Sequence, residues 1–368
     1  MKFWLRKATS LSLLFSATYV GRVDAAYSAF SQLQEKVAML EERVNELTKA
    51  NALETTGGVN ASGYPSLVEA KHFYLFVDPM LLHSKVEGTE FAYAATGPTS
   101  SLPIRADTKN VPFGWDFGIR LGLGYHFPKK DWNLDGTFTW IDTHENTSIS
   151  SNMMGSIMPL KGIIQFGQGV TTAKSSFSIQ QDTILVKLSK SYFVSSSVSL
   201  TPYGGVKNSW IHLKQWTQYY GGSVLGQNDI HVKDGSRFWG IGPSVGNQAK
   251  LYLGKGFSLD GDLQVALQYG LFLVSYSEKQ SNLPQSNILI KDSFHQFAPN
   301  FEIDIGGSYS SYFNNKRNFF TVSMAYQVQY WMNQNQFLDI TQPYARRYVN
   351  LAEDMSFHGL MVNLRVDF

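Results

Sequence analysis

The stretch WDFGIRLGLGYHF, residues 115–127, alternates without a break: Trp115, Phe117, Ile119, Leu121, Leu123, Tyr125 and Phe127 hold one parity, while Asp116, Gly118, Arg120, Gly122, Gly124 and His126 hold the other. A period of two is that of an extended strand with one oily and one polar face. The run outlasts the ~5–6 residues typical of strands in soluble sandwiches. At about 3.3 Å per residue and a tilt of ~40° it spans roughly 30 Å, near the ~25 Å apolar band of a membrane barrel wall. Both ends are aromatic, which suits the two interfaces of such a band.

The same period returns in Phe257–Leu273 and Phe320–Tyr330, and in the closing GLMVNLRVDF, where Leu360, Val362, Leu364, Val366 and Phe368 share one face. Tight turns fall near Pro128–Asp131, Ser189–Ser191, Gly254–Gly256 and Asn314–Lys316, and long polar stretches at about 87–111, 147–174, 216–235, 278–292 and 333–353. Short and long connections therefore alternate, the asymmetry of a bacterial outer-membrane barrel with short periplasmic turns and long extracellular loops. The expected fold is all-β, a transmembrane antiparallel β-barrel over 67–368. Its strands lie at about 68–86, 112–127, 131–146, 175–189, 192–215, 236–253, 256–277, 293–310, 317–332 and 354–368. That makes about 10, with 12 or more open because Ile163, Ile164 and Phe166 could belong to another hairpin. Phe368 ends a strand that would close the barrel against the first.

Composition agrees. Charged residues are 16%, below the ~25% of an average soluble domain, and aromatics are 14%. Mean hydropathy is only −0.18, as expected where lipid-facing and lumen-facing positions alternate. Beyond the first 25 residues no apolar run approaches the ~18 residues of a membrane helix. Net charge is +2 without a Lys/Arg cluster in sequence, so nothing points to nucleic acid. The absence of cysteine excludes disulfides and thiolate chemistry.

Residues 1–25 read as a secretory signal: Lys2, Arg6 and Lys7, then an apolar Leu11–Val20, then small residues before cleavage after Ala25. In 26–50, Phe30, Leu33, Val37, Leu40, Val44 and Leu47 repeat at 3 and 4 residues, the seam of a short coiled-coil helix. A helix this short is marginal alone in water, so it is expected to pair with copies of itself and make a homo-oligomer. Residues 51–66 are polar and Gly-containing and read as a linker.

Lumen-facing parity assigns Asp116, Asp135, Asp260, Asp262, Glu302, Asp304 and Asp367 to the pore lining, with Arg120, Lys187, Lys207 and Arg365. Carboxylates exceed bases, so a pore lined this way would weakly prefer cations. No catalytic constellation appears. The eight histidines are scattered without metal-ligand spacing, and Gly240, Gly242 and Gly246 lack the spacing and following helix of a phosphate loop. No enzyme activity, metal or cofactor is expected.

The segments HFYLFVDPMLLHSKVEGTEFAY (72–93), WDFGIRLGLGYHFPKKDWNLDGTFTW (115–140), FWGIGPSVG (238–246), LGKGFSLDGDLQVALQYG (253–270) and the ending FHGLMVNLRVDF resemble the Legionella and chlamydia-type major outer membrane protein family. The resemblance covers nearly all of 68–368, densest in the strands. It implies an outer-membrane porin, often oligomeric, in some members an adhesin or immunodominant surface protein, with Phe368 in the terminal signal that outer-membrane assembly machinery recognises. Cysteine-rich members cross-link their envelopes, which this chain cannot do. Two functions follow: a porin for small hydrophilic solutes, or a structural or adhesive barrel with a plugged lumen whose loops at 87–111 and 147–174 contact host or neighbouring cells.

Overall fold

In a computed structural model of the chain, the described residues are 62–67, 71–95, 106–152, 156–162, 169–225, 228–281, 287–342 and 347–368, with positions 36, 37, 39 and 41. The signal sequence and, apart from Val37, the coiled-coil seam lie outside them.

Ten long strands form the wall: β1 (Phe73–Val86), β2 (Trp115–Phe127), β3 (Trp132–Ser150), β4 (Thr172–Ser189), β5 (Val198–Tyr220), β6 (Asp229–Gly254), β7 (Phe257–Gln280), β8 (Ile288–Phe313), β9 (Asn318–Asn335) and β10 (Glu353–Asp367). Each pairs antiparallel with the next, and β10 pairs with β1 through Leu75↔Val366 and Leu81↔Leu360. Closure leaves no long edge with unpaired backbone groups, the condition for crossing hydrocarbon. The Phe368 amide also donates to the Phe73 carbonyl at 2.8 Å. Lys255 and Gly256 take φ of 53° and 85°, the left-handed pair that a two-residue hairpin needs between right-twisted strands.

The count of ten holds, and the wall closes without another hairpin from 147–174. There Ile157–Pro159 instead joins a small sheet with Ala92–Ala95 and Ala106–Lys109; residues 163–168 are outside the described set. Two of the long loops are shorter than expected. The long stretch at 216–235 contracts to 221–228, because Tyr220 still pairs with Asp229, and 278–292 contracts to 281–287. Polar side chains marked these segments as loops, yet a strand that leaves the bilayer keeps its ladder and only exchanges its oily face for a wet one. Strand β6 has 26 residues, roughly 65 Å along the barrel axis at ~40° tilt, more than twice the ~25 Å apolar band.

The outer surface shows where that band lies. Phe73, Phe127, Trp132, Phe257, Phe313 and Phe368 point outward near the short turns, and Trp115, Trp140, Trp210 and Trp239 form the upper ring. Between the rings Leu121, Leu123, Val206, Leu263, Ile305 and Leu364 are exposed. Above the upper ring the outward positions turn polar: His231, Lys233 and Arg237 on β6, Ser275, Ser277 and Lys279 on β7.

The interior inverts at the same level. Below, β7 turns Asp260, Asp262 and Gln264 inward; above, it turns Phe272, Val274 and Tyr276 inward, all buried. The lower half is apolar outside and charged inside. The upper half is polar outside and has an aromatic-rich interior among which buried Gln215, Asp234 and Glu278 are interspersed.

Candidate functional site

The lower half encloses a chamber of about 320 Å³ whose lining includes Arg120, Asp135, Lys187, Lys207, Asp260, Asp262, Glu302, Asp304, Arg365 and Asp367. Asp116 has the same parity but sits higher on β2, opposite Leu82 of β1, and is not among the chamber's residues. Alternation brings the others to one volume because each lies on the inner face of its strand.

The charges meet across the lumen. Arg120 Nη2 on β2 donates to Glu302 Oε1 on β8 at 2.5 Å, and Lys207 Nζ on β5 lies 3.6 Å from Glu302 Oε2. Gln327 Nε2 donates to the same Glu302 Oε1 at 2.7 Å, and Lys207 donates to Asn300 at 2.5 Å. Asp78 on β1 stands 3.9 Å from Arg120 and accepts from Asn363 of β10 at 2.5 Å. One carboxylate therefore ties β2, β5 and β8 together, and buried charges are tolerable only when paired in this way. Gln181 on β4 donates to Gln329 on β9 at 3.3 Å, joining strands that lie opposite each other in the ring.

Nearer the short turns, Tyr74 donates to Asp135 while the Arg365 guanidinium lies 3.8 Å over the Tyr74 ring and pairs with Asp367 at 2.7 Å. Tyr203 donates to Asp262 at 2.9 Å under Lys187, whose Nζ is 4.4 Å from the ring centre. Glycine makes room for these rings: a Cβ on Gly124 would fall 2.1 Å from the Tyr74 ring and one on Gly122 2.0 Å from that of Phe76. Asp78, Tyr74 and Tyr203 also line the chamber, and the parity of their strands would place them there; next to Pro79, and as aromatics, they do not stand out as lumen residues in the sequence.

Side chains and inserted segments reach across both ends of the chamber. At the lower mouth, Ser62 Oγ donates to Asp131 at 2.5 Å, the Gly63 amide donates to the Ser191 carbonyl at 3.1 Å, and the Tyr64 ring stacks on His126 at 3.7 Å and 4°. Burial raises the pKa of the Tyr64 hydroxyl, so it stays neutral. The end of the segment read as a linker is thus seated in the mouth. Above the chamber an apolar plug fills the barrel, with Phe177, Ile211, Phe238, Phe272, Trp331 and Phe357 from the wall and Phe91, Ile157 and Phe337 from the connections. Phe177 meets Phe113 and Phe337 at 5.4 and 5.8 Å. Hydrogen bonds pin the connections: Tyr219 donates to the Phe91 carbonyl at 2.5 Å, Gln215 to the Thr89 carbonyl at 2.9 Å, and Lys161 pairs with buried Asp234 at 3.4 Å.

No group of His, Asp or Glu side chains suited to a metal occurs among the described residues. Residues 67–368 match the family model described as Legionella pneumophila major outer membrane protein precursor. No curated protein matches the chain. Among solved structures, the outer membrane protease OmpT of Escherichia coli is similar over 83% of this chain and 98% of its own at 10% identity, with a TM-score of 0.41. Neisserial surface protein A (NspA) is similar over 81% and 99% at 11% identity and 0.26, and Ail of Yersinia pestis over 80% and 99% at 10% identity and 0.24.

Proposed function

The chain belongs to the Legionella major outer membrane protein family, and we propose that this outer-membrane member serves as a closed surface barrel: its loop-bearing half projects from the membrane as a rigid platform for contacts with other cells or envelope components. One observation carries this reading, the apolar plug. A pore is lined mainly by polar groups, and an apolar constriction across it shuts it by expelling water. Here buried aromatics from four or more strands meet the inserted Phe91 and Phe337 over the chamber, and a ten-strand ring has little width to spare between the filled eight-strand barrels and the open channels of 16 to 18 strands.

The charged chamber supports a second reading, a channel for small hydrophilic solutes that conducts only when the inserted connections withdraw. Single-channel recording of the purified protein in a planar bilayer tests both. A closed platform gives a silent membrane at all voltages while the protein remains a folded barrel; sustained conductance steps would replace it with the channel. The coiled coil, the homo-oligomer it would make, and the engagement of Phe368 by assembly machinery stand as proposals alongside. They call for cross-linking of the full chain and for an export assay of a Phe368 deletion.

A further inference from the structure

On the outer surface, directly above the Trp210–Trp239 ring, four cations surround a shallow floor. Lys214 of β5, Gly235 of β6, Ser275 of β7 and Lys291 of β8 occupy one row of the sheet. Arg237 lies two residues toward the membrane on β6, opposite His212, and Lys233 two residues away from it, opposite Trp216. All four cations are exposed, and none makes an ion pair with a described residue. Adjacent strands are ~4.8 Å apart and alternate residues ~6.6 Å, so the four long side chains can converge on one small anion. The floor is open because glycine stands in it: a Cβ at Gly235 would lie 2.8 Å from Ser275 Oγ, the hydroxyl at its centre. The carboxylate of Asp229, farther up β6, is already engaged by His231 at 2.8 Å and by Gln218 at 2.8 Å. On the opposite side of the barrel the same height carries Glu87, Glu353 and Asp354 near the single exposed Lys85.

Like charges gathered without counter-charges repel, and the cluster costs stability unless an anion joins it. Its position names the anion. It rises just beyond the interface on the long-loop side: Leu271 shares the row of Trp239, and exposed Leu273 shares the row of Arg237. A ligand there presents acyl chains to the leucines and phosphate to the cations. We propose that this face binds a phosphorylated glycolipid of the outer leaflet, one phosphate lying over Gly235 and Ser275 and held by Lys214, Lys233, Arg237 and Lys291. Arginine supplies the planar two-donor fork and the lysines point charges. The site does not depend on whether the lumen conducts.

The test titrates the full-length protein in non-ionic detergent with bisphosphorylated lipid A, with lipid A stripped of phosphate, and with inorganic phosphate, reading bound lipid by native mass spectrometry. The bisphosphorylated lipid should bind, the stripped lipid at least ~10-fold more weakly, and millimolar phosphate should not displace it. Combined Lys214→Ala, Lys233→Ala, Arg237→Ala and Lys291→Ala should lose at least ~10-fold, Arg237→Glu alone should weaken binding, and Lys85→Ala should bind as wild type. Heat-modifiable gel migration checks that each variant remains a barrel. Equal binding by wild type and the quadruple variant, or by the lipid with and without phosphate, would overturn the site; displacement by phosphate alone would overturn the lipid assignment in favour of a soluble anion.

Discussion

At the scale of single residues, Glu302 is the point on which the lower half turns. It accepts from Arg120 and Gln327 and faces Lys207, so removing its charge leaves two buried cations without their shared partner. Breaking one side of such a buried pair costs about 3–5 kcal/mol. Glu302→Ala should therefore lower the denaturation midpoint of the detergent-solubilised barrel markedly, whereas Asp116→Ala, outside the chamber, should shift it little; equal effects would show that the network does not hold the lower half together. Tyr64 offers a second test at this scale. The chain has no cysteine, so Ser62→Cys with Tyr192→Cys, paired across an isolated bridge, should form an intramolecular disulfide on mild oxidation and leave the barrel intact. Failure to cross-link would mean that the segment does not occupy the mouth.

At the scale of elements, the inserted connections behave as part of the core. Phe337 is fully buried against Phe177, beneath Lys161 at 5.1 Å from its ring. Phe337→Ala or Phe177→Ala should cost about 3–5 kcal/mol, with Phe337→Ala also exposing the 336–352 connection to protease while the wall stays resistant. Protection unchanged by Phe337→Ala would detach that connection from the plug. Strand existence and the turn at Lys255–Gly256 were legible in the sequence, because a period of two and a positive-φ hairpin are local signals; the short-long alternation held only in part, since 190–197 is as long as 221–228. The upper ends of β5 to β8 were not, for polarity on the outer face looks the same in a loop and in a strand standing in water. Strand β7 carries the sequence signal for it: its apolar parity runs through Leu263, Leu267 and Leu273, then passes to Phe272, Val274 and Tyr276. The change of phase marks the membrane boundary. Charged chamber residues followed from parity, but their cross-lumen pairing joins strands such as β2 and β8 that no local pattern connects.

At the scale of the whole molecule, one continuous wall serves two solvents. Below the tryptophan ring its oily face meets lipid and its charges pair inward; above the ring the same strands fold their oily face onto the inserted connections and offer polar groups to water. The apolar plug and the long projecting strands both follow from that inversion. A nitroxide scan along β7 from Asp262 to Lys279, in vesicles, examines it directly through collision with oxygen dissolved in lipid and with a polar reagent in water. Labels at Leu263, Leu267 and Leu271 should meet oxygen, those at Ser275, Ser277 and Lys279 the polar reagent, and those at Phe272, Val274 and Tyr276 neither. Free access of the polar reagent to Phe272, Val274 and Tyr276 would mean an open aqueous lumen and contradict the inversion.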